Sequence, residues 1–174
     1  MMGKKFVLFA LAVITSIAAV SVHGAETKKE KLVKKAKGEK KVADVVWQKD
    51  VAKAIAAAKK SKKPILLVHI APKVNNNSEL YDKNIIKNKN LNKFSKDFIF
   101  VKFEYKDLKN ISKEAAAALK KYPLEKQRNT FVMPTVYLLD STGAVIEKKA
   151  GYYTELSPSE YFKSFKSLKK LKKK

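Results

Sequence analysis

The sequence predicts an α/β protein, a three-layer sandwich with helices on both faces of a mixed four-stranded sheet. Apolar runs of strand length, PILLVHIA (64–71), FIFVKFEY (98–105) and MPTVYLLD (133–140), alternate with segments of helical spacing. The first run is apolar without alternation, the pattern of a strand buried on both faces. The third is followed by Ser141-Thr142-Gly143 and the β-rich stretch AVIEKKAGYY, which is hairpin chemistry. Strands separated by helices pair in parallel through right-handed crossovers, and the late hairpin adds an antiparallel edge.

The elements follow in order. WQKDVAKAIAAAKK places Trp47, Val51, Ile55 and Ala58 at helical spacing, and its alanines favour helix. Pro64 closes it, because the residue before a proline is pushed out of the helical region. The strand 64–71 comes next, and then Tyr81, Ile85, Ile86, Leu91 and Phe94 mark one face of a helix over 78–94. FIFVKFEY is a second strand by its β-formers. ISKEAAAALKKY (111–122) is a helix with Ser112 as its cap and Pro123 as its stop. After the hairpin, Pro158 opens a last helix whose stripe is Tyr161, Phe162, Phe165 and Leu168.

Before this domain, Lys4 and Lys5 precede an apolar run from Phe6 to Val20, and Val22-His23-Gly24 offers small residues for cleavage. This is the pattern of a secretory signal peptide over 1–24, cleaved after Gly24, and implies a periplasmic or secreted protein. The alternative is an anchor over Phe6–Val22, 17 residues long and weakened by Thr15, Ser16 and Ser21. Residues 25–46 are lysine-rich and read as a linker, 47–168 as the domain, and 169–174 as a basic tail.

The 174-residue chain carries 39 basic and 16 acidic side chains, a net charge of +23, and no cysteine. Thiol chemistry and disulfide bracing are therefore outside its repertoire. Arg128 is the single arginine. Base reading and bidentate phosphate clamping favour arginine, so no specific nucleic-acid recognition is expected. A diffuse lysine excess binds an anionic polymer, lipid or nucleic acid in a salt-dependent way. It also arises on a solvated surface from codon usage alone.

The opening W...DVAKAIAAAKKSKKPILLVHIA, the segment FVMPTVYLLDSTGAVIEKKAGYY, and the order of elements between them resemble the thioredoxin-like superfamily, in particular its exported single-domain members. The resemblance spans Trp47 to about Phe165. It implies that Pro134 is the family's cis proline. It places the two cysteines of the active C-x-x-C motif on Asn75 and Ser78, or, one residue earlier, on Val74 and Asn77. Neither register holds a thiol. Asparagine is no nucleophile and a serine hydroxyl is far too weakly acidic to replace a thiolate, so the family's redox activity is not expected.

What the resemblance leaves is a rim for an extended peptide, made of Asn75, Asn76, Asn77, Ser78, Met133, Pro134 and Thr135. The competing readings are purely structural: Pro134 serves the turn, and the asparagines cap the next helix. Met133 offers the rim an adaptable apolar contact. No cofactor is expected, and His69, the one histidine after residue 24, rules out a two-histidine metal site. His69 with Ser78 lacks an orienting acid at a recognisable spacing, and Glu104 alone is no catalytic set. The expectation is a non-enzymatic, exported binder of a protein or peptide. The alternative is an electrostatic binder acting through residues 27–41 and 169–174.

Overall fold

A computed structural model describes residues 43–168. The apolar run 6–22, most of the linker and the basic tail lie outside them. Among the described residues no helix is long and apolar enough to cross a membrane.

The elements are β1 (Trp47–Gln48), α1 (Val51–Ser61), β2 (Ile65–Ile70), α2 (Asn76–Tyr81), a π-helical turn (Asp82–Ile86) and a 3-10 helix (Lys89–Phe94). They continue with β3 (Ile99–Glu104), α3 (Lys113–Lys121), β4 (Glu125–Gln127), β5 (Thr130–Val132), β6 (Thr135–Leu139), β7 (Val145–Ala150) and α4 (Pro158–Lys163). The main sheet has five strands in the order β1-β3-β2-β6-β7, and β4-β5 is a separate hairpin. Strands β1, β3 and β2 are parallel, whereas β6 and β7 are antiparallel to their neighbours.

The architecture is the expected three-layer sandwich, with three local differences. Trp47 is not on a helix. It begins a fifth strand paired with Phe100, and its ring meets Phe100 edge-on at 5.2 Å. Such pairing is non-local, so helical spacing with Val51 was a coincidence of period. The segment 78–94 is not one helix, because its apolar residues do not hold a 3.6-residue period to the end. The amide of Lys87 reaches back five residues to the Asp82 carbonyl at 2.8 Å, and Asn88 then caps the 3-10 turn through Asn90 N–H at 2.9 Å. The third difference is the β4-β5 hairpin, which turns on Arg128 and Asn129, both at positive φ (47° and 65°).

Two cores flank the sheet because side chains alternate along each strand. Ile65, Leu67, Val101, Phe103, Tyr137 and Leu139 face α1 and α3, which approach closely through Ala54, Ala58, Ala115 and Ala118. Leu66, Val68, Ile70, Phe100, Val136 and Leu138 face the aromatic side built by Tyr81, Tyr152, Tyr161, Phe162 and Phe165. Helix α1 starts at Asp50, whose carboxylate accepts from Ala52 N–H (2.8 Å) and Lys53 N–H (3.1 Å), and it ends on Lys62 in the left-handed region. Helix α4 opens on a capping box between Ser157 and Glu160 with Pro158 in its first turn.

Candidate functional site

Strand register brings three chain segments to one end of the sheet. His69 pairs with Thr135, and Thr135 with Ala150, so the segment after β2, the segment before β6 and the segment after β7 emerge side by side. The Met133–Pro134 peptide bond in the middle segment is cis. Gly151 N–H donates to the Pro134 carbonyl at 2.8 Å, joining the second segment to the third. The Tyr153 ring lies over Gly151, where an added Cβ would come within 2.3 Å of it.

In the first segment Asn75 is the N-cap of α2. Its Oδ1 accepts from Ser78 N–H at 2.9 Å, which satisfies one of the donors left free at a helix start. Asn75 and Ser78 thus occupy the cap and third positions, where a helix N-terminus lowers the pKa of a thiol if one is present. The Ser78 side chain is buried with no partner for its Oγ, Asn76 is exposed, and Asn77 is half-buried. Val74, immediately before the cap, is 68% exposed.

The middle segment presents backbone rather than side chains. Met133 is buried in the core against α1 and α3, so its thioether is not an adaptable surface contact. The Met133 N–H and carbonyl have no hydrogen-bond partner among the described residues. Thr135 is turned inward: its hydroxyl donates to the Val132 carbonyl at 2.6 Å and accepts from Glu125 N–H at 3.3 Å, tying the base of the hairpin to β6.

His69 lies in β2 beneath this end and is fully buried. Its Nδ1 shares a 2.7 Å hydrogen bond with the Tyr105 hydroxyl, and its ring stacks on Phe103 and Tyr105. Burial lowers its pKa to about 4 against a weaker opposing pull from the Tyr122 backbone, while Nε2 makes no hydrogen bond of normal geometry. The imidazole is a neutral core group. No hydrogen bond joins it to Ser78, and the exposed Glu104 is engaged by Lys102 Nζ at 3.2 Å.

Sequence reasoning missed Phe131 and Tyr153 here, and gave Val74 only as an alternative position for the family's first cysteine. Among the described residues five large apolar side chains are more than a third exposed, and three of them, Val74, Phe131 (42%) and Tyr153 (70%), sit on the segments that meet at Pro134. Phe131 is on β5 opposite Lys126, whose Nζ lies 5.1 Å from the ring centroid. In the sequence Phe131 and Tyr153 stand in the TFV that follows a polar run and in the doubled tyrosine after Gly151, and neither pattern separates an exposed aromatic from a buried one.

A family model described as thioredoxin-like matches residues 46–141. Among solved structures, the chain is similar to a DsbH oxidoreductase at 18% identity and a TM-score of 0.56, over 75% of this chain and 88% of that one. It is also similar to a disulphide isomerase from Xylella fastidiosa Temecula1 (22% identity, 68% of this chain and 88% of that one, TM-score 0.48). A third likeness is to a thioredoxin-fold protein from Helicobacter pylori (23% identity, 58% and 65%, TM-score 0.42). No curated protein sequence matches.

Proposed function

The chain belongs to the thioredoxin-like family, and from that premise we propose that it is an exported, redox-inactive member that binds extended peptide segments of other proteins. Its sequence has no cysteine to attack a disulfide, so the family fold is present without the reactive sulfurs. One observation supports binding above all. The unpartnered main chain of Met133 lies on one of the three segments that carry exposed Val74, Phe131 and Tyr153, none of which belongs to either buried core. An extended segment laid along Met133 gains backbone hydrogen bonds and sets apolar side chains against the flanking three, as in β-strand addition. No catalytic turnover is part of this reading.

The test is selection from a random peptide-display library with the purified protein, followed by affinity measurement on the Val74→Asp/Tyr153→Ala double variant. Peptides that bind the parent and lose at least tenfold on the variant support the rim. A library that yields no binders, or binders indifferent to the variant, contradicts it.

A second reading rests on charge. The described residues include 23 lysines and one arginine against 13 carboxylates, a net excess of eleven positive charges, and only three lysines are paired with a carboxylate among them. It supports attachment to an anionic polymer, lipid or nucleic acid, with the lysine-rich ends outside the described residues as further contacts. Such attachment falls steeply with salt. Retention on anionic vesicles or on polyanion resin that is unchanged between 50 mM and about 0.5 M salt contradicts it.

A further inference from the structure

Beside the rim, the β4-β5 hairpin stands outside the main sheet, and its sequence EKQRNTFV is unusual for this chain. Among 39 basic residues the one arginine is Arg128, at the hairpin tip. It adopts φ 47°, a left-handed conformation that asparagine or glycine takes with less strain. Local folding therefore does not select arginine at this position. Lys126 and Phe131 face each other across the hairpin, holding a cation over an exposed aromatic ring. Neither Lys126 nor Arg128 forms a carboxylate pair among the described residues, whereas Glu125, the hairpin's acid, is taken by Lys148. The base of the hairpin is fixed to the rim through the two hydrogen bonds of Thr135.

We infer that this hairpin selects the partner: the segment bound at the rim is acidic, with a carboxylate on the Arg128 fork and a neighbouring apolar side chain on Phe131. The inference rests on the rim reading and gives it a substrate class. Arginine suits it because a planar guanidinium engages a carboxylate through two parallel hydrogen bonds, which a lysine does not. Lys126 adds a point charge next to the apolar contact.

The test uses the same display selection, run in about 0.3 M salt to suppress diffuse attraction. Sequencing the selected peptides is expected to show aspartate and glutamate enriched beside one apolar position. A Lys126→Gln/Arg128→Gln variant should bind the acidic peptides about three- to tenfold more weakly, while neutral rim-dependent peptides keep their affinity. Arg128→Lys should recover only part of the loss. The control is Lys59→Gln/Lys60→Gln/Lys62→Gln at the end of α1, which removes more charge and should leave the preference intact. Rim-dependent peptides without acidic enrichment, or enrichment that the α1 control abolishes equally, overturn the inference and leave the rim standing. Peptides indifferent to Val74→Asp/Tyr153→Ala, or no peptides at all, overturn both.

Discussion

The two ends of the sheet are built differently. At the end holding the β6-β7 turn, the turn and the helix end have local structural reasons, and Val145 is the exposed apolar exception (52%). Asp140 accepts from the Thr142 hydroxyl and from the backbone of Thr142 and Ala144, and its carboxyl titrates below its ordinary range for that reason, the Thr142 hydroxyl first. Gly143 takes φ 86° and leaves no room beside Ile55, and its carbonyl accepts from the Tyr122 hydroxyl at 2.7 Å. Lys59 and Lys60 lie in the last turn of α1, where cations suit the helix dipole. At the rim end, Val74, Phe131 and Tyr153 are exposed, Arg128 is strained, and the main chain of Met133 is unpaired. The turn end has its own non-glycine residue at positive φ, Lys62, which closes α1, and one exposed apolar side chain, Val145; the rim end differs in carrying three exposed apolar side chains and an unpaired main chain together.

The sharpest way to break this contrast is Gly143→Val. Its Cβ would lie 2.6 Å from Ile55 Cδ1 at a φ that β-branched residues avoid, so a loss of about 3 kcal/mol or more in urea-unfolding stability is expected. Peptide affinity per folded molecule should not change. A stable variant would show that the turn end is as permissive as the rim.

His69 tests the floor beneath the rim. Its folded pKa is lowered to about 4 from 6.5, so between those values the unfolded chain binds the proton that the native ring refuses. Its contribution is complete above pH 6.5 and is lost as pH falls toward 4, a change of about 3 kcal/mol. Stability of the parent measured at pH 7.5 and pH 4 should therefore fall by about that much more than that of His69→Leu. Equal slopes would mean that the imidazole is hydrated or paired in solution.

At the rim itself smaller effects are expected. Asn75→Ala removes the α2 cap and should destabilise by about 1 kcal/mol. Arg128→Asn should stabilise by about 0.5 kcal/mol, because asparagine tolerates positive φ, while weakening acidic peptides. Val74→Asp should stay within about 0.5 kcal/mol of the parent in stability and still abolish rim binding. A large destabilisation by Val74→Asp would make that residue a packing element and remove it from the rim.

How much the sequence disclosed follows the range of the forces involved. Local determinants were legible: alanine-driven α1 and α3, the apolar β2, the Ser112 cap, the Gly143 turn and the chain order that places them in layers. Non-local ones were not. Trp47–Gln48 becomes a strand only because the edge of β3 is open to it, and a two-residue strand leaves no period to read. The π turn after α2 has no signal in the apolar spacing, since Tyr81 and Ile85, both buried in the core with α4, stand at the i, i+4 separation that an ordinary α-helix also satisfies. The Asn75 cap of α2 was legible from the asparagine run ahead of a helical segment. Phe131 and Tyr153 were not, since one aromatic in a β-rich run reads equally as buried or exposed. The inward turn of Met133 depends on the core it fills, which its neighbours in sequence do not encode.

The most direct test of the central claim is an amide-resolved NMR titration of the ¹⁵N-labelled protein with a selected acidic peptide. The account predicts shifts confined to residues 73–78, 126–135 and 150–154, with Met133 N–H among the largest, and none at 59–63 or 140–145. Shifts centred on the lysines of the opposite end, or spread evenly over the surface and vanishing with salt, would contradict it.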